Sequence, residues 1–214
     1  MQDASRTPRA AHARVVAAAM LIVSTLAACT GVGGGWLPPD NVLFKANASF
    51  GFTFSCERSS KSTQSTNPKP GQLRIELAYN EQGLNPLGSG FTIHGIADQI
   101  DPVLESQVCV GQEEQPPVVG QLVFLGRYRL SSTPPAGFPA ACAKTTWTRG
   151  ANCRFEVIVQ DNDRNLAPSA GDSFSIKLTT ITDPTVTDFG SLVPPVVFYA
   201  RAGLLGGGNV TVDG

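Results

Sequence analysis

From residue 49 to residue 178 the chain repeatedly alternates apolar and polar side chains with a period of two. Phe50, Phe52, Phe54 and Cys56 fall on one side of the segment 49–56, and Ser49, Gly51, Thr53 and Ser55 on the other. Leu73, Ile75, Leu77 and Tyr79 do the same over 72–79, and Leu122, Phe124, Tyr128 and Leu130 over 122–130, where Arg127 and Arg129 point the other way. Cys153, Phe155, Val157 and Val159 repeat the pattern over 153–159, as do Phe174, Ile176 and Leu178 over 174–178. A strand turns successive side chains to opposite faces, so this pattern specifies half-buried β-strands and excludes amphipathic helices. Shorter candidates at 91–97, 106–110, 196–201 and 208–212 raise the number of strands to about nine. One polar face per strand predicts antiparallel sheets that meet water outside, and two such sheets packed together make a β-sandwich. The expected fold class is therefore all-β, an antiparallel β-sandwich with long Pro-rich loops at 57–70, 111–118 and 132–152. Proline lacks the ladder donor and keeps such segments out of a sheet interior.

The first 28 residues read differently. Arg6, Arg9 and Arg14 precede the apolar run 15–23, and small residues follow it up to Ala28. A basic start, a short apolar stretch and a small-residue cleavage site describe a helical secretory signal peptide, too short for a membrane span of about 20 residues. Leu26-Ala27-Ala28-Cys29 resembles the bacterial lipobox. That resemblance implies cleavage before Cys29, lipid on its thiol, and a chain held to a membrane outside the cytoplasm. The expected organisation is a signal peptide at 1–28, a lipidated tether at 29–31 and one domain at 32–214. The short tether predicts a domain close to the membrane face. The expected place is the outer membrane or the cell surface; in a host with two membranes, Thr30 after the cysteine instead of an aspartate points by resemblance to outer-membrane sorting.

Removing residues 1–28 takes away three arginines and one aspartate, which moves the formal charge from −1 to −3. A mildly acidic chain without a basic cluster is a poor nucleic-acid ligand. It also has no electrostatic hold on anionic lipid, so the anchor alone would bind the membrane. Four cysteines remain besides Cys29, an even number that in an exported protein reads as two disulfides. Of the three connectivities, Cys142–Cys153 closes the shortest loop, and Cys56–Cys109 follows by elimination. A zinc site is disfavoured because no CxxC spacing occurs and His94 is the one histidine after the signal.

Further motifs run through the chain in order. They are Gly33-Gly34-Gly35-Trp36, Phe50-Gly51-Phe52, Pro70-Gly71-Gln72-Leu73, His94-Gly95, Asp161-Asn162 with Gly171-Asp172-Ser173-Phe174-Ser175-Ile176, and Gly206-Gly207-Gly208-Asn209-Val210. The ordered set resembles the bacterial post-COAP-1 type module over about residues 32–213. The resemblance implies a β-sandwich at the ends of exported proteins, with no catalytic residues to carry over. The chain departs from it in two Pro-rich insertions, four cysteines, and Asp161-Asn162-Asp163 in place of Asp-Asn-Gly. Glycine within strands marks bulges or close backbone approach. The first and last strands are therefore expected to be neighbours.

No constellation for catalysis stands out. A hydrolase triad needs a base oriented by an acid beside an exposed serine, and His94 sits inside an alternating strand segment. Glu113-Glu114 fall in an insertion and form no pair across a cleft. Asp161, Asp163 and Asp172 supply hard oxygens of the kind calcium takes, but Arg164 lies among them and Asp and Asn are ordinary turn formers. No enzyme, cofactor or metal is expected. Trp36, Trp147 and Tyr128 could form a sugar-stacking platform; the competing expectation puts Trp36 in the core and Trp147 over the Cys142–Cys153 hairpin. The leading reading is a lipid-anchored structural or interaction module of the envelope, partnered by an envelope protein or a glycan. The alternative is a glycan- or ligand-binding domain. An exposed Trp147 beside a groove would favour binding, and buried tryptophans under a closed surface would favour a structural role.

Overall fold

Among the described residues nine antiparallel strands follow one another; eight lie on expected segments, and the first is a strand that the alternation does not mark. They are β1 (Cys29–Leu37), β2 (Ala48–Glu57), β3 (Gln72–Glu81), β4 (Phe91–Ile96), β5 (Gln121–Leu130), β6 (Arg154–Gln160), β7 (Ser173–Thr179), β8 (Val197–Leu204) and β9 (Gly207–Asp213). The structure, a computed structural model, describes residues 29–57, 72–97, 120–147, 152–162, 171–180 and 196–213. Its helical content among these residues is one 3-10 turn, Ala140–Cys142, and no helix there is long and apolar enough to cross a membrane. The signal segment 1–28, the candidate strand 106–110, Cys109, Glu113, Glu114 and the loop 111–118 lie outside the described residues.

The sandwich expectation assumed two sheets. Instead the strands hydrogen-bond in one unbroken order, β8-β7-β6-β5-β4-β3-β2-β1-β9. Consecutive strands pair as neighbours up to β8, and the last run then changes partner. β8 pairs with β7 and β9 pairs with β1, with only Leu205 and Gly206 between them. Leu205 N donates to the Asp172 carbonyl and Gly206 N to the Trp36 carbonyl, at 2.9 Å each. The sheet is thus curled until its two edge strands meet end to end. A bend of this kind is how a strand passes from one layer of a β-fold to another.

Curling brings the apolar face of each half against the other. Phe50 of β2 stacks on Phe174 of β7 with ring centroids 3.8 Å apart, and Phe52 and Phe54 meet Phe124 of β5. Tyr79 of β3 and Phe91 of β4 reach Tyr199 of β8. These are the inward positions of the alternation, and Tyr79, Phe91, Phe124, Tyr128, Phe155 and Phe174 are almost entirely buried. Each such side chain contributes roughly 1.5–3 kcal/mol of transfer free energy.

The glycine run of β1 fits beneath this layer. Gly33 faces inward, and a Cβ there would lie 2.7 Å from the Phe52 ring. Gly208, the register partner of Gly35, adopts φ 107°, a conformation closed to most side chains, where β9 crosses the Gly34 carbonyl. The expected pairing of first and last strands is seen in register: Gly33 lies opposite Val210 and Trp36 opposite Gly207. β1 begins earlier than expected. Cys29, Thr30 and Gly31 are strand residues opposite Cys56, Ser55 and Phe54, so the segment 29–31 expected as a tether is part of the sheet.

A buried polar cluster ties the far ends of the chain together. Arg201 of β8 pairs with Glu81 of β3 at 2.5 Å, both side chains almost wholly buried. Its other amino group donates to the carbonyls of Pro38 (2.8 Å), Ala46 (3.0 Å) and Leu37 (3.3 Å), and its guanidinium lies 4.5 Å over the Phe44 ring. Tyr79 and Tyr199 donate to the second Glu81 oxygen at 3.0 and 2.5 Å. Burial first of all pushes both phenols far above their ordinary pKa, so they serve as neutral donors. Burial pulls the Arg201 pKa down, but the hydrogen bond and charge of Glu81 outweigh it and raise it.

Candidate functional site

The outer face of β1–β5 carries a trough whose shape follows from the register. One row across the strands reads Gly34, Gly51, Ala78, His94 and Arg129. The next reads Val32, Thr53, Glu76, Ile96 and Arg127. Two glycines and an alanine leave the backbone nearly bare at one end of the first row, while long side chains rise at the other. The result is an open groove of about 380 Å³, with His94, Arg129, Glu76, Thr53 and Trp147 along it. A second hollow of about 240 Å³ between Arg74 and Arg127 shares Glu76 and Ile96 with the first, so the two are neighbours.

Trp147 forms the wall. The Cys142–Cys153 disulfide closes the β5–β6 connection with the two Cα atoms 5.3 Å apart. Asn152 is buried at its base and donates to the carbonyls of Tyr128 (3.0 Å) and Thr146 (3.1 Å). These contacts hold the residue before Trp147. The indole lies over the outward arginines of β5, with Arg127 Cζ 5.5 Å and Arg129 Cζ 5.7 Å from the ring centroid. It remains 37% exposed, which leaves ring surface for a ligand. Arg129 donates to the Thr145 carbonyl at 3.4 Å, and its Nε is buried without a hydrogen-bond partner among the described residues.

The other expected positions are distributed otherwise. Trp36 is on the outer face, 37% exposed, with its ring against Gly206 and Gly207, and so it is not a core residue. The reason is parity: the inward positions of β1 are Gly31, Gly33, Gly35 and Leu37, which puts Trp36 outside. Tyr128 is fully buried inside the sheet and cannot join a platform with Trp147. Its inward position in the alternation already excluded that role. Cys142–Cys153 is formed as expected. For the second expected disulfide, Cys56 is the register partner of Cys29, while Cys109 lies outside the described residues.

Asp161 and Asp172 have a structural task. Asp172 accepts from Val210 N at 2.8 Å and from Asn162 N at 3.1 Å, and Asp161 accepts from Val212 N at 3.2 Å. The two carboxylates satisfy the free edge of β9 where the curled sheet meets its other end, which explains why two acids are buried there. Asp163 lies outside the described residues. Among the described residues no group of three His, Cys, Asp or Glu side chains could hold a metal ion.

His94 is exposed on β4, and its register neighbours are Ala78 and Arg129. Neither can orient it as a base, and neither is a nucleophile. The groove offers an aromatic surface, two arginines, a carboxylate and a hydroxyl, a set suited to holding a polar ligand. Sequence reasoning found Trp147 but missed the groove floor and the Glu81–Arg201 pair. Reading the outward positions of neighbouring strands row by row would have exposed the floor, but that requires the register. The chain matches no protein-family model, no curated protein and no solved structure.

Proposed function

We propose that this protein is a lipid-anchored, non-enzymatic binding protein of the bacterial envelope, which receives a ligand in the outer groove beside Trp147. The observation that carries the reading is the half-exposed indole, fixed over two arginines at the edge of a groove with a bare backbone floor. A closed outer surface with both tryptophans buried would have supported a purely structural role. Aromatic rings are suited to ligands with one apolar and one polar side, because they bury large area at low entropic cost. The anchor rests on Leu26-Ala27-Ala28-Cys29 and the basic, apolar segment before it. With β1 starting at Cys29, a lipid on that residue would hold the end of the sheet directly at the membrane.

The full chain, produced in bacteria and extracted with detergent, is the material for the test. Mass spectrometry is expected to show a mature N-terminus at Cys29 bearing diacylglyceryl; an unmodified Cys29 thiol would refute the anchor. Glycan-array binding that Trp147→Ala abolishes, with an unchanged melting temperature, is the result expected of the groove. Ligand binding that survives Trp147→Ala would place the site elsewhere.

A further inference from the structure

We infer that the groove selects an acidic saccharide, with a sugar ring stacked on Trp147 and its carboxylate on Arg129. The inference rests on the binding reading above and names the ligand class. Three features of the groove carry it.

The first is the unused donor capacity of Arg129. Among the described residues it has no carboxylate partner, one long bond to the Thr145 carbonyl, and a buried Nε without any partner. Arg201 and Arg154 contrast with it: Arg201 is held by Glu81 and three carbonyls, and Arg154 donates to the Asn152 carbonyl. A guanidinium is a planar fork that matches a carboxylate.

The second is placement. Arg129 lies beneath the same indole that would stack the sugar, and His94 stands beside it in the row. The floor next to them is Ala78, Gly51 and Gly34, which leaves room for a ring lying flat on the sheet.

The third is the distribution of charge. The chain is net acidic, which repels polyanions in general. Among the described residues lining the groove and the hollow beside it, however, the cations are Arg74, Arg127 and Arg129 and the acid is Glu76. Glu76 accepts hydroxyl protons and repels carboxylates, so it orients the ligand with hydroxyls toward β3 and acid toward β5. An acidic peptide would satisfy the arginines but leave the exposed indole and the bare floor without a function.

The test uses the full-length protein in detergent and an array of uronate- and sialate-type oligosaccharides, each beside its carboxyl-reduced counterpart, with polyglutamate as a non-sugar polyanion. At least one acidic glycan is expected to bind about tenfold or more tightly than its reduced form, the value of one charge-assisted pair. Arg129→Gln should erase that ratio while weak binding of the reduced form persists, and Arg129→Lys should restore part of it. Trp147→Ala should lose both forms.

Equal affinity for acidic and reduced forms, both lost in Trp147→Ala, would overturn the acidic preference and leave the groove reading standing. Binding of polyglutamate as tight as that of any glycan would overturn the saccharide assignment. No acidic glycan bound at all would overturn the inference as well. Acidic-glycan binding that ignores Trp147→Ala and Arg129→Gln would overturn both readings together.

Discussion

Replacing Arg201 by methionine tests whether the buried cluster holds the curled sheet together. The substitution leaves the Glu81 carboxylate fully buried with two tyrosine hydroxyls but no counter-charge. Removing one partner of such a pair costs roughly 3–5 kcal/mol. It also strips donors from the carbonyls of Leu37, at the end of β1, and of Pro38 and Ala46 in the β1–β2 connection. That segment can move toward water, so this part adds only about 1 kcal/mol. A domain of this size is stable by about 5–15 kcal/mol, so the change removes a large share. With a urea dependence of about 2 kcal/mol per molar, the unfolding midpoint should fall by about 2–3 M under oxidising conditions. Glu81→Gln alone should also destabilise, because Arg201 then lacks its counter-charge. The double variant should lose less than the sum of the two singles, by about 2–3 kcal/mol, since each substitution removes the penalty created by the other. A midpoint shift in Arg201→Met worth less than about 1 kcal/mol, or strict additivity in the double variant, would show that the pair contributes little.

Four further outcomes follow from named contacts. Asp172→Ala removes the acceptor of Val210 N and Asn162 N and should cost about 2–4 kcal/mol by chemical denaturation; an unchanged midpoint would mean that the Asp172 carboxylate does not help to hold β9. Replacing Cys142 and Cys153 together by alanine opens a loop with a sequence separation of 11 and should cost about 3 kcal/mol, whereas a loss below about 1 kcal/mol would point to strain in the bridge. Tyr128→Phe deletes a buried hydroxyl that has no partner among the described residues, and should be neutral or stabilise by up to about 1 kcal/mol; a clear loss in melting temperature would reveal an unseen partner. Backbone hydrogen bonds from Phe44, then Val42 and Leu43, hold the Asp40 carboxyl below its usual pKa. Its stabilising effect is therefore complete above about pH 4, the unfolded value, and fades as pH falls through the lower folded value. Asp40→Asn should flatten the melting-temperature profile in that acid window, and an unaltered slope there would discount the turn.

The all-β fold was legible because a period-two pattern has one structural meaning: residues 50–54, 75–79 and 155–159 bury the same positions that the alternation assigns. Where patterning was silent, the reading failed for identifiable reasons. Four of the nine residues of β1 are glycine, so it shows no apolar alternation, and its start at Cys29 emerges only from the pairing with β2 and β9. Whether nine strands make two sheets or one depends on the path of β8 into β9, a bend over two residues that hydropathy does not encode. Arg201 and Glu81 were invisible because charged residues read as solvent-facing, whereas both lie at inward positions and meet across 120 residues of sequence.

The candidate groove shows the same division at finer scale. Trp147 was conspicuous in sequence because a large aromatic in a Pro-rich, disulfide-closed loop has few reasons to be there. Its partners were not, because Gly34, Gly51, Ala78, His94 and Arg129 come from five strands and form a row only once the register is known. A one-residue slip of β3 against β2 would replace Ala78 on the outer face by Leu77 or Tyr79 and fill the trough with a large side chain. The inward burial of Leu77 and Tyr79 therefore fixes the core and keeps the groove floor low at the same time. On this argument, enlarging the floor by Ala78→Phe should leave the fold intact, because the new ring points outward. The same change should block any ligand lying flat beside Trp147. A variant that unfolds would refute the independence of the two faces, and one that still binds with unchanged affinity would refute the position of the ligand.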